Sequence, residues 1–236
     1  FRDFLQSRIK RERPEETRKI IIALAKTLTE RRDWERAYSL YHQLDDPVSI
    51  VSLIENGGSS MVAEGKLVTL HQWLDDLPSP LLNDNPVLLS LQSVLFTMRG
   101  NLQESLRRSH QVLNLLQNSP DIHTKALTLV RQATAYRLQG DYPQALKDAQ
   151  TALELLVNRP QDELVRAEAL RTVGVTFYQQ GDLKAALKYL EQSLVAFQSV
   201  NGQPFIPKVL FEIGTIHKAL GEHAQAEHDY HHALTL

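Results

Sequence analysis

Four cations recur in the second half of the chain where a helix would set them on one side. They are Arg137, Arg171, Lys208 and Lys218. A cluster of this kind favours an anionic group, such as the carboxylate of a peptide or the phosphate of a metabolite, because charge-assisted hydrogen bonds are the strong ones and a guanidinium meets an oxyanion in a fork. Tyr178 and Phe211 fall among them and offer ring faces to a sugar or an aromatic group, and Thr134 adds a hydroxyl. These seven residues are the expected binding set.

Other constellations carry less. No G-x-x-x-x-G-K-S/T phosphate loop is present, so nucleotide chemistry is not expected in this stretch. Gly57-Gly58-Ser59-Ser60 is glycine-rich but lies inside a helical pattern with no Lys-Ser or Lys-Thr behind it, and reads as a helix break or kink. Histidines gather at 217, 223, 228, 231 and 232. His228 and His232 are four apart, a spacing that can share a metal, but they fall on an outward helix face with no acid forced beside them. A solvated face is the expectation, with no metal site and no catalytic residue. The chain is expected not to be an enzyme, and no cofactor is expected within it.

Whether the cations converge depends on the elements that carry them. Gly100, Gly140, Gly181 and Gly221 are 40, 41 and 40 residues apart, each followed five positions later by Ser105, Ala145, Ala186 or Ala226. A fixed period of this size marks a helical repeat array. With each turn residue set as position 15, the register extends backwards through Gly65 and Arg32 at spacings of 35 and 33. Position 4 is then Ile21, Ile54, Leu89, Leu129, Leu170 and Leu210. Position 8 is always small: Ala25, Gly58, Ser93, Ala133, Gly174 and Gly214. Large residues around a small one let a second helix approach closely. Glycine suits the left-handed end of the first helix, Asp141 and Asp182 suit the cap of the second, and Pro143 suits its first turn. Breaker clusters lie between repeats at Asp46-Pro47, Pro78 to Pro86, Ser119-Pro120, Arg159-Pro160 and Gly202 to Pro207. The fold expected is all-α, a right-handed superhelix of about six antiparallel helix pairs.

In such an array positions 2, 5, 9 and 12 of the first helix line the concave surface. In the last three repeats these are Leu127, Val130, Thr134 and Arg137, then Glu168, Arg171, Val175 and Tyr178, then Lys208, Phe211, Thr215 and Lys218.

Composition narrows the class. The 236 residues are 42% hydrophobic and 23% charged with a net charge of -2, which argues against a nucleic-acid-binding stripe over the whole chain. The first 36 residues are locally basic, with 11 Lys and Arg against 7 Asp and Glu. There is no cysteine, hence no disulfide frame and no thiolate site, which fits a cytoplasmic protein. No run approaches the ~20 apolar residues of a membrane span. The chain opens on Phe1 and stops at Leu236 inside a helical pattern, and is expected to be a piece of a longer protein.

The small, large, glycine and alanine positions over residues 18–236 resemble the tetratricopeptide repeat. A narrower likeness begins at Gly65-Lys66-Leu67-Val68-Thr69-Leu70-His71-Gln72-Trp73-Leu74-Asp75-Asp76-Leu77-Pro78 and continues through Asn85-Pro86-Val87-Leu88-Leu89. It is similar to the G-x-L-x-x-L-x-x-W-L-x-x-L-P and P-x-L segment of the MalT-like, LuxR-type ATP-dependent regulators. Phe1-Arg2-Asp3-Phe4-Leu5 is similar to the L-F-R-x-F-L helix that closes their winged-helix region, and the 40-residue period suits them. The chain departs from their common G-D-x-x-x-A-x-x-H-A run at Arg32 to Tyr41, which lacks the glycine and the histidine. The resemblance implies residues 1–13 as the end of a winged-helix region and a hinge, 14–80 as an arm of two divergent repeats, and 81–236 as a superhelix of four. It also implies a transcriptional regulator whose ATPase module, with ATP and Mg2+, lies upstream and whose DNA-binding domain lies downstream. The repeats would sense a small-molecule inducer or peptide and take part in multimerisation, with no nucleic acid or membrane contact of their own. A plain scaffold binding a peptide or protein in the same groove is the alternative.

Overall fold

Proline in the first turn or an Asp or Asn side-chain cap starts most of the described α-helices, and a left-handed residue ends many of them. The structure, a computed structural model, describes residues 13–200 and 202–236. The winged-helix end and hinge expected over 1–13 lie outside the described residues except for Arg13. Among the described residues there are thirteen α-helices and no strand. The chain divides into a unit ending at Asn83 and a unit starting at Asp84.

The first unit contains α1 (Pro14–Glu30), α2 (Trp34–Gln43), α3 (Pro47–Ala63), α4 (Leu67–Asp75) and the short α5 (Ser79–Asn83). Two antiparallel pairs result. The glycine-rich stretch does not break α3, contrary to expectation. Gly57 stands under the Trp34 ring, and a Cβ there would lie 2.7 Å from Trp34 Cδ2. The glycine therefore makes room for a buried indole on the neighbouring helix. Trp73 stacks on Tyr38, ring centroids 4.3 Å apart and planes within 2°. Arg32 takes the turn conformation at φ 58 that glycine takes in the later repeats.

The second unit contains α6 (Pro86–Met98), α7 (Leu102–Leu115), α8 (Ile122–Gln139), α9 (Tyr142–Leu155), α10 (Glu163–Gln180), α11 (Leu183–Ser199), α12 (Ile206–Leu220) and α13 (His223–Thr235), with a 3-10 turn at Pro160–Asp162. These are four more pairs, making six among the described residues. Each first helix ends as its sequence demands. Gly140 at φ 89 donates to the Arg137 carbonyl, and Asp141 to the Tyr136 carbonyl at 2.9 Å, the doubly bonded left-handed stop. The Asp141 and Asp182 carboxylates then accept from the Gln144 and Ala185 amides at 3.1 and 3.0 Å.

The small residue at position 8 performs its expected task. A Cβ on Gly174 would meet Leu190 Cγ at 2.8 Å and the Ala186 carbonyl oxygen at 3.1 Å. The core runs along the pair junctions, with Leu190, Phe197 and Val209 fully buried. The first helices of successive pairs touch side by side, through Ser90 and Thr128 on α6 and α8, Arg137 and Gln179 on α8 and α10, and Arg171 and Glu212 on α10 and α12.

Candidate functional site

The face shared by α8, α10 and α12 holds three of the four expected cations, Arg137, Arg171 and Lys208, and two of them already have hydrogen-bond partners. The Arg171 guanidinium donates in a fork to Glu212, Nε to Oε2 at 2.9 Å and Nη2 to Oε1 at 2.5 Å. Arg137 donates Nη1 to the Gln179 side-chain oxygen at 3.1 Å, and its buried Nε has no partner. The Lys208 ammonium makes no ion pair among the described residues. Thr134 spends its hydroxyl on the Val130 carbonyl of its own helix at 3.0 Å.

Three members were not in the expected set. Arg131 is buried on α8 and donates Nη1 to Ser90 Oγ at 2.7 Å. Glu168 on α10 couples electrostatically to Arg131, Arg171 and Lys208. Glu212 holds Arg171. Arg131 and Glu212 sit at position 6 of their helices, four after position 2 and three before position 9, so the helical period puts them on the same stripe.

Burial shapes this cluster. Burial pulls Arg131 down to about 10, against the pull of Glu168. Burial lowers Arg137, and the neighbouring Arg171 charge lowers it further, against Glu212. Lys208 is lowered for the same two reasons in the same order. Burial raises the Glu168 carboxyl in spite of the cations around it. Four cations thus share a partly desolvated face with two carboxylates, an excess of two positive charges. A desolvated charge excess is costly, and an incoming anion relieves it.

Tyr178 and Phe211 project from the same face, 37% and 58% exposed. A cleft of about 200 Å3 opens between α10 and α12, and both rings line it. At the start of the face, His123 Nδ1 and the Arg159 guanidinium both bond Asp162, at 2.7 and 2.6 Å. Burial works against that carboxylate, but these two partners outweigh it and its pKa is lowered.

Lys218 stands apart. It makes no ion pair among the described residues and lines a separate open groove on α12 and α13 with His223, His228 and His231. His217 is turned inward to Asp229, Nδ1 to Oδ2 at 2.6 Å. Among the described residues no group of three or more His, Cys, Asp or Glu is placed to hold a metal ion. Among them also, no helix is long and apolar enough to cross a membrane.

Comparisons with known proteins agree with this architecture. Family models described as "Tetratricopeptide repeat" match residues 20–45, 124–199 and 165–236, together more than half of the chain. No curated protein matches it. Among solved structures, BtubC (BKLC) from P. vanneervenii is similar at 18% identity and TM-score 0.57, over 92% of this chain and 90% of that one. Aspartyl phosphate phosphatase F from Bacillus subtilis is similar at 14% identity and TM-score 0.58, over 99% of this chain and 55% of that one. The signal transduction ATPase with numerous domains carrying a tetratricopeptide repeat sensor, from Pyrococcus horikoshii, is similar at 14% identity and TM-score 0.60, over 92% of this chain and 34% of that one. The chain thus spans only part of the last two. At these identities the likeness speaks for the fold alone. With six helix pairs closed by left-handed turns, small residues at the pair contacts and the matching family models, the chain belongs to the tetratricopeptide-repeat family.

Proposed function

We propose that this chain is a non-catalytic recognition module of a multidomain, ATP-dependent signal-transducing regulator of the MalT-like, LuxR-type class, and that it binds an anionic ligand on the face shared by α8, α10 and α12. The observation that carries the ligand reading is the excess of two positive charges at Arg131, Arg137, Arg171 and Lys208 over Glu168 and Glu212. The regulator reading is supported by the Gly65 to Pro78 segment, by the 40-residue period, and by the likeness in fold to an ATPase with a repeat sensor. Ligand binding shifts an equilibrium between resting and self-associating forms, by as much as the ligand prefers one of them. ATP and Mg2+ belong to the upstream ATPase module, and the whole protein works in the cytoplasm.

The test is a thermal-shift series of the chain with sugars, nucleotides, inorganic phosphate and small carboxylates, repeated on Lys208→Ala. A rise with an anion that is lost in the variant supports the reading. Equal response of the two proteins to every anion rejects it.

A plain scaffold for a protein partner is the second reading. It is supported by the tetratricopeptide-repeat models over residues 20–45, 124–199 and 165–236.

A further inference from the structure

The cleft beside the cation cluster adds a second anchor to the charge. The buried Leu190 and Ile216 floor it, Val175 and Thr215 wall it, and Tyr178 and Phe211 stand at its mouth. Phe211 keeps 58% of its surface in water next to this apolar hollow. The same two helices carry cations one turn away. Arg171 precedes Val175 by four residues and Lys208 precedes Phe211 by three, so each pair is about 5–6 Å apart at Cβ. Glu212 belongs to both places, since it holds Arg171 and also lines the cleft.

An extended chain can bridge cation and cleft within two residues. An extended peptide rises about 3.3 Å per residue and alternates its faces, so residues i and i+2 point the same way about 6.6 Å apart. The cleft holds about 200 Å3, room for one side chain, whereas sites that enclose a whole small molecule run to about 300–1,000 Å3.

We propose that the occupant is an extended peptide segment of a partner protein, with an acidic residue at i and a large apolar residue, best an aromatic one, at i+2. The acid lies against Lys208 and Arg137, and the apolar side chain enters the cleft between Tyr178 and Phe211. Glu212 sets the order, because its carboxylate at the rim repels a second acid from the cleft. This inference rests on the charged-face reading above and adds the apolar anchor and the spacing.

The experiment is isothermal titration of the whole chain with the blocked heptapeptide Ser-Gly-Glu-Ser-Phe-Gly-Ser. Three relatives are compared: Glu to Gln, Phe to Ala, and an insertion that places Glu and Phe five residues apart. Phe211→Ala is titrated in parallel, and because the ring is largely exposed the variant keeps its fold, as circular dichroism will confirm. The parent peptide is expected to bind, and each of the four changes to weaken it about tenfold or more, as loss of a central anchor does. Equal binding of the Phe-to-Ala peptide, with no effect of Phe211→Ala, overturns the cleft proposal and leaves the charged face standing. Binding of 3-phenylpropanoate as tight as that of the peptide overturns the peptide as occupant. Failure of every peptide and of inorganic phosphate to bind removes both readings.

Discussion

Arg171 and Glu212, 41 residues apart on neighbouring first helices, close a two-pronged ion pair that ties one repeat to the next. Each side chain keeps only 19% of its surface exposed. The pair joins elements that a repeat array must hold in register, and it sits within the proposed binding face. Removing one partner leaves the other partly desolvated without its counter-charge. Glu212→Ala is expected to lower unfolding free energy by about 1–3 kcal/mol. A double-mutant cycle with Arg171→Ala, followed by urea denaturation, should show a coupling; strict additivity of the two losses would contradict it.

Gly174 tests the close approach of paired helices. Alanine is the better helix former, so an unpacked site would gain stability from Gly174→Ala. Here the new methyl meets Leu190, fully buried, and the Ala186 carbonyl oxygen, which cannot move aside. The expected result is a loss of about 1–3 kcal/mol, read from the urea midpoint at constant slope.

Arg32 tests the opposite case. It holds φ 58 in the first turn, where the later repeats use glycine, and nothing of its backbone geometry requires a side chain. Arg32→Gly relieves a left-handed non-glycine residue and is expected to stabilise the first unit by roughly 0.5–1 kcal/mol after the greater freedom of the unfolded glycine is counted. Hydrogen exchange of the amides in α1 and α2 reads this locally, and slower exchange is the expected sign.

Asp148 predicts a pH dependence. It is 6% exposed on α9, and burial raises its pKa, against the hydrogen bond from Gln144. A carboxyl raised in the folded state binds its proton more tightly there than in the unfolded chain. Its charge therefore costs stability above the folded pKa, and the cost disappears as pH falls to the ordinary carboxylate value near 3.9, about where the unfolded chain titrates. Asp148→Asn, which keeps an oxygen for Gln144, is expected to be more stable than the parent at pH 7. That advantage should shrink as pH falls through the acidic range. Urea midpoints at pH 7, 6, 5 and 4 check it, and a constant difference would contradict the assignment.

Helix pairs, turns and caps were legible because each depends on local chemistry. Gly140 and Asp141 announce a left-handed stop and a cap within two residues, and the period repeats the announcement. The faces were legible for the same reason, since Arg137, Arg171 and Lys208 share a stripe by helical arithmetic. Their partners were less so. Arg171 reads as a free cation until Glu212, on another helix, is seen to hold it. Arg131 is hidden in the sequence because position 6 lies between the groove-lining positions 5 and 9 of the repeat register. Gly57 reads as a kink because its purpose, the Trp34 ring, belongs to a different helix. The sequence distance to a contact, more than its strength, decided what could be foreseen.

Titration of the acidic heptapeptide against three proteins tests the central claim most directly: the parent chain, Lys208→Ala, and Lys184→Ala as an exposed cation of helix α11 outside the cluster. The account predicts that Lys208→Ala weakens binding about tenfold and flattens its dependence on salt, while Lys184→Ala matches the parent. Equal losses in the two variants would show that diffuse charge, and not the face shared by α8, α10 and α12, attracts the ligand.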